Sequence, residues 1–316
     1  MGDVICADGR NQKIIQNRTR KGIGLMCQII KILHTVSFGS YTVEISLLLR
    51  NAIFINGMLT NSEVWFGLRK SEIEQLERTD RTLLRKIFQV PSSIPAVALY
   101  LELGTMPLAV VIKVRRILYL HNILNSNRDG MLYKVFTVQW HYPSRDDWTL
   151  QVKSDLIDLG LPVDLAVIHS FSKEKFKSTV KTKATSYTLN LLNQKKANYS
   201  KLRYLQYGEF EPRDYLMDNQ LTHDDKIKIL KLRTRMSDFG ENFRAGRDTT
   251  ICPICSSHID CQSFLLRCPG LRHELQTKFG QDLLESIDEV YEEKISVTTI
   301  KVLTYAMDLR KTKLKS

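Results

Sequence analysis

Apolar residues run almost all round the stretch 43–59: Val43, Ile45, Leu47, Leu48, Leu49, Ile53, Phe54, Ile55, Met58 and Leu59. Polarity is confined there to Glu44, Arg50, Asn51 and Asn56. This pattern predicts a helix buried within a larger core, ended by Asn61-Ser62. Trp65 and Phe66 follow as packing anchors. Ser71-Glu72-Ile73-Glu74 reads as a capping box that opens the next helix. That helix sets Ile73, Leu76, Leu83, Leu84, Ile87 and Phe88 against a charged side of Glu77, Arg78, Arg81, Arg85 and Lys86. Pro91 stops it. A short helix is expected after Pro95, with Gly104 as its C-cap, and Thr105 and Pro107 start another that runs to about Leu124. The run Asn125–Gly130 is a loop and a candidate boundary. Trp140 and Trp148 stand outside any basic repeat and read as core residues rather than base-stacking platforms.

The fold class expected is therefore mostly α: a helical bundle with a small Cys/His segment near the C-terminus. The division along the chain reads as a poorly ordered start (1–38), a helical bundle (39–125), a basic helical region (131–247), the Cys/His segment (248–275) and a helical tail (276–316), with Leu283, Leu284 and Ile287 as apolar tail positions.

Charge adds a direction. The formal net charge is +12 over 316 residues, which favours polyanions without choosing among them. The region 171–201 holds eight lysines against Glu174 alone, with Tyr187, Leu189, Leu191 and Leu192 interrupting, which fits a basic amphipathic helix. A second basic helix is expected over 222–236, with Ile227, Ile229, Leu230, Leu232 and Met236 inward. The residues expected to contact phosphates are Arg81, Arg85, Lys86, Arg115, Arg116, Lys175, Lys177, Lys181, Lys183, Lys195, Lys196, Arg233 and Arg235. No stretch reaches the ~18 apolar residues that span a bilayer, and the polar first residues do not form a secretory signal. The expectation is an intracellular chain whose cysteines stay reduced.

Cys252, Cys255, His258, Cys261, Cys268 and His273 fall within 22 positions. A Cys-x-x-Cys turn places two thiolates as tetrahedral zinc requires, and Pro253 helps fix that turn. Cys268 is the natural third ligand. His258, Cys261 and His273 compete for the fourth place, and His258 ranks first. Phe264, Leu265 and Leu266 are expected to form a small core beside a structural Zn2+.

With these pieces in order, the chain resembles the C-terminal part of the second open-reading-frame polyprotein of non-LTR, LINE-like retrotransposons. The likeness rests on residues 54–65, 76–91, 95–104 and 115–121, together with the terminal Cys-x-x-Cys and Cys268-Pro269. It spans about residues 40–270. The resemblance implies thumb and linker helices beyond the polymerase palm, followed by a zinc-knuckle region. The chain departs from the family at Ser263, where a histidine commonly precedes the last cysteine. It also lacks an Asp-Asp pair suited to the palm's metal site: Asp146-Asp147 lies past the thumb-like region and Asp224-Asp225 opens a basic helix. The implied function is non-catalytic binding of RNA or DNA, with the upstream reverse transcriptase domain as a possible partner and no membrane association. The alternatives are a structural or protein-interaction helical module, or a decayed transposon copy. An enzyme would need several of Glu102, His121, His141 and Asp147 to converge.

Overall fold

The computed structural model describes residues 11–144, 147–237, 239, 251–280, 288–292 and 294–315. Cys6, Asp146, the segment leading into the cysteines (238 and 240–250) and the tail positions Leu283, Leu284 and Ile287 lie outside the described residues.

The chain is mostly helical, as expected, and the described residues contain isolated β-bridges but no strand. In chain order the helices are α1 (Gln12–Thr35), α2 (Thr42–Leu49), a π turn (Arg50–Ile55) leading into α3 (Asn56–Met58), α4 (Lys70–Ile87), α5 (Ala96–Glu102), α6 (Leu108–Leu124) and α7 (Met131–His141). Then come α8 (Trp148–Asp158), α9 (Leu165–Ser170), α10 (Lys173–Lys196), α11 (Asp214–Met217), α12 (His223–Arg233), α13 (Pro269–Phe279) and α14 (Val297–Lys313).

These elements form two compact units that interleave along the sequence. The first takes residues 11–35, 47–84 and 106–191, and the second takes 36–46, 85–105 and 192–315. The boundaries expected at 38, 125 and 247 therefore do not mark the units. The loop at Asn125–Gly130 lies inside the first unit, because α6 and α7 share one core.

In the first unit, α6 lies at the centre. Its Val110, Ile117, Leu120, Ile123 and Leu124 pack with Phe136 and Trp140 of α7, Val152 and Leu156 of α8, Ile168 of α9 and Phe176, Val180 and Ala184 of α10. Trp148 donates its indole N–H to the Glu63 carbonyl at 2.8 Å, so both tryptophans serve packing. Residues 12–35 are a helix, not a loose start: Ile15, Met26 and Ile29 are buried, and α1 packs on α3. Gly22 permits that approach, since a Cβ there would lie 2.6 Å from Met58 Sδ. The capping box placed at Ser71 is also displaced. Helix α4 begins at Lys70, Glu72 accepts the Arg69 amide at 2.8 Å, and Glu74 is engaged by Arg81. Trp65 is buried as predicted, but Phe66 is exposed.

In the second unit, α12 opens with a true capping box formed by Thr222 and Asp225, and it packs on α14. Gly104 ends α5 at φ +54°, and a Cβ there would meet Glu211 C and Pro212 N, each at 2.3 Å. Gly104→Ala is expected to cost about 2 kcal/mol or more, because both the left-handed backbone and the Pro212 contact oppose a side chain. Denaturant unfolding of the variant measures this directly.

Candidate functional site

The cysteine cluster sits in the second unit on a knuckle built from backbone. Cys252 donates its amide to the His258 carbonyl at 2.6 Å, and Ile251 and Ile259 form an antiparallel bridge. Inside that hairpin the Ser256 amide reaches the Cys252 carbonyl at 2.8 Å, with Ser256 itself at φ +53°. Cys268 arrives as the residue before α13, whose Pro269 occupies the first turn where no amide donor is needed. Gly270 lets α13 close on the knuckle, since a Cβ there would lie 2.5 Å from Ile254 Cγ2.

Two buried polar contacts lash this segment to the rest of the unit. Gln262 donates to the Leu232 carbonyl at 2.8 Å, and Arg310 grips Asp260 through bonds of 2.9 and 2.8 Å. Leu265 and Leu266 are buried, and Phe264 is half-buried.

The Cys252, Cys255 and Cys268 sulfurs all lie within 4.8 Å of one another, and Cys252 and Cys268 are 3.8 Å apart. Three thiols gathered this way can hold a metal ion. His258 is not gathered with them. Its Nδ1 is 4.0 Å from Cys255 Sγ but hydrogen-bonds with Ser257 Oγ at 2.8 Å, and its ring stacks on Phe264 with centroids 4.1 Å apart. Cys261 lies against Ser263 Oγ at 3.2 Å, and His273 is exposed on α13, so neither joins the set.

The thiols differ in acidity. For Cys255 the strongest single influence, burial, pushes the pKa up, but hydrogen bonds from Ser257, His258 and Cys252 outweigh it and bring it down to about 6. Burial pushes the Cys268 thiol up to about 12, with neighbouring Cys252 adding to the rise.

The basic residues fall into two groups. Most of the predicted arginines are committed inside the protein. Arg116 is buried, pairs with Asp155 at 2.6 Å and donates to the Trp65 carbonyl at 3.0 Å. Arg233 is wholly buried and binds both Glu102 oxygens, at 2.9 and 3.0 Å. Neither can meet a phosphate, and both are corrections to the predicted contact set. Their burial is made possible by carboxylates far away in sequence. Arg115 spans to the Leu59 carbonyl and Asn56 Oδ1, Arg81 pairs with Glu74 and Glu77, and Arg85 donates to the Ile94 carbonyl. Arg235 lies over the Tyr204 ring at 4.8 Å. Lys196 is half-buried, reaching the Leu205 carbonyl and lying 5.4 Å from the Tyr207 ring.

The lysines of α10 behave otherwise. Lys173, Lys175, Lys177, Lys181 and Lys183 are exposed, and none pairs with a carboxylate among the described residues. Phe176, Val180, Ala184 and Thr188 form the buried row of this helix at intervals of four. Lys173, Lys177 and Lys181 make a row along one side of it, and Lys175 and Lys183 stand on the other. Lys86 and Lys195, in the second unit, are also exposed.

Of the four residues an enzyme would need, three have another occupation, and His141 is exposed at the end of α7. Asp147 caps α8, accepting from Thr149 N at 2.7 Å and Leu150 N at 3.2 Å. Glu102 holds Arg233, and the His121 ring stacks on Phe176 with centroids 4.7 Å apart. Among the described residues no helix is long and apolar enough to cross a membrane. No family model, curated protein or solved structure matches the chain.

Proposed function

We propose that the chain binds RNA or DNA without catalysis, as a helical fragment of a retrotransposon-type reverse transcriptase polyprotein. The observation that carries this reading is the set of exposed lysines on α10 that pair with no carboxylate among the described residues, on a chain that pairs much of its other positive charge internally. Such lysines give salt-dependent contacts to phosphates with little reading of sequence. The proposed cofactor is a structural Zn2+ held by Cys252, Cys255 and Cys268. Thiolates bound to zinc at ~2.3 Å on a tetrahedron sit ~3.8 Å apart, the separation found between Cys252 and Cys268. His258 is the proposed fourth ligand, reached by turning its ring off Phe264. When bound, the ion would cross-link the knuckle to α13.

Replacing Lys177, Lys181 and Lys183 together with glutamine tests the interface. Affinity for a short duplex is expected to fall about tenfold or more at low salt, with the melting temperature kept, since all three side chains are exposed. Unchanged affinity would remove α10 from the interface.

A protein-interaction role has one observation in its favour. Met131, Val135 and Val138 are exposed in a single stripe along α7, with Leu132 beside them and exposed Tyr142 just past the helix end. A variant that loses self-association or partner capture on Val138→Lys while keeping nucleic-acid affinity would support that role for this face.

A further inference from the structure

Helix α10 stands open on three sides over its first three turns. Its buried row, Phe176, Val180 and Ala184, packs into the core of the first unit. On an α-helix, a residue one position before or after such a row points about 100° to either side of it, and a residue two positions after points away from it. Lys177 and Lys181 therefore form one flank, Lys175 and Lys183 the other, and Ser178, Thr182 and Ser186 the outward crest. All of these flank and crest residues are exposed.

The flanks carry charge that the protein does not use. Lys177, Lys181 and Lys183 pair with no carboxylate among the described residues, and Lys175 has only the Phe171 ring, at 5.7 Å from its centroid. Glu174, the one carboxylate of the helix, lies one turn before Ser178 at the helix start. Cations on two opposite flanks of a narrow, neutral crest match a polyanion that presents two charged walls, rather than a flat charged surface. A lipid surface would need an apolar row turned outward, and the apolar row of α10 is turned inward.

We infer that α10 lies lengthwise in the major groove of B-form duplex DNA, with each lysine flank along one phosphate backbone. That groove is ~12 Å wide and admits an α-helix, whereas the major groove of an RNA duplex is too deep and narrow for one. The small crest residues let the helix approach the groove floor, and the Glu174 carboxylate stays at its mouth. The inference rests on the nucleic-acid reading above and narrows it to one duplex form and one groove.

Binding of the full chain is measured, at one fixed salt concentration, to a plain DNA duplex, to the same duplex with glucosylated 5-hydroxymethylcytosine filling the major groove, and to an RNA duplex of equal length. The plain duplex is expected to bind about tenfold or more tightly than the other two. Thr182→Trp, which keeps every lysine, should remove that preference while melting with the parent, since the side chain is exposed. Equal affinity of the parent for all three duplexes, or a Thr182→Trp chain that keeps the parent's preference, overturns groove insertion while leaving the lysines of α10 as phosphate contacts. Parent chain that binds phosphatidylserine vesicles and none of the duplexes overturns both readings.

Discussion

Arg233→Met is expected to lower the free energy of unfolding by about 3–5 kcal/mol, because it leaves a buried carboxylate without its cation. Glu102 and Arg233 are both wholly buried and joined by two hydrogen bonds. Tyr207 and Tyr215 donate to the same carboxylate at 2.6 and 2.8 Å, and Arg233 also reaches the Val290 and Glu292 carbonyls. The network thus ties α5, α11, α12 and the segment before α14 into one unit. Burial, reinforced by Glu102, holds both tyrosines well above their ordinary pKa, so they remain hydrogen donors throughout the neutral range. Without Arg233 the carboxylate keeps the two tyrosines but loses its counter-charge, and two backbone carbonyls lose a donor. Urea unfolding reads the cost, and a double variant, Arg233→Met with Glu102→Leu, should recover part of it. A loss below about 1 kcal/mol for Arg233→Met, the range of an exposed pair, would contradict this account of the core.

Cys268→Ser carries the second large effect. The wild-type chain is expected to copurify with one zinc per molecule and the variant with none. Metal that binds only the folded state contributes about 4 kcal/mol when free zinc stands ~1,000-fold above its dissociation constant. The loss should localise to the knuckle and α13. Cys268 is 2% exposed at the start of that helix, and Gly270 brings α13 against Ile254. Elemental analysis with unfolding curves in the presence and absence of a chelator measures both quantities. Identical curves with and without chelator would show that the three thiols hold no stabilising ion.

Much of the fold was legible because its punctuation is local. Pro91, Pro95, Gly104 and Pro107 mark where α4, α5 and α6 stop and start, and each acts through its own backbone geometry. Helix α1 was obscured by Gly22 and Gly24, which lower helix propensity, and the close approach of Met58 and Thr79 explains the first of them. The fates of Arg50, Arg116 and Arg233 had no local signal. Their partners Asp80, Asp155 and Glu102 lie 30, 39 and 131 positions away, so a basic helix face and a buried ion pair look alike in sequence.

The cysteine cluster followed from spacing. The direction of His258 did not, since it depends on stacking with Phe264 and the bond to Ser257. The interleaved units have no local signal either, because nothing in the loop at Asn125–Gly130 reveals that both of its flanking helices share a core.

The salt dependence of duplex binding, measured for the parent chain and for the variant with Lys177, Lys181 and Lys183 changed to glutamine, tests the central claim most directly. Each phosphate contact contributes a slope of about −0.9 to a plot of log affinity against log salt. The account predicts a steep slope for the parent that becomes shallower by roughly two to three in the variant. A parent affinity that ignores salt, or a variant with the parent's slope, would contradict it.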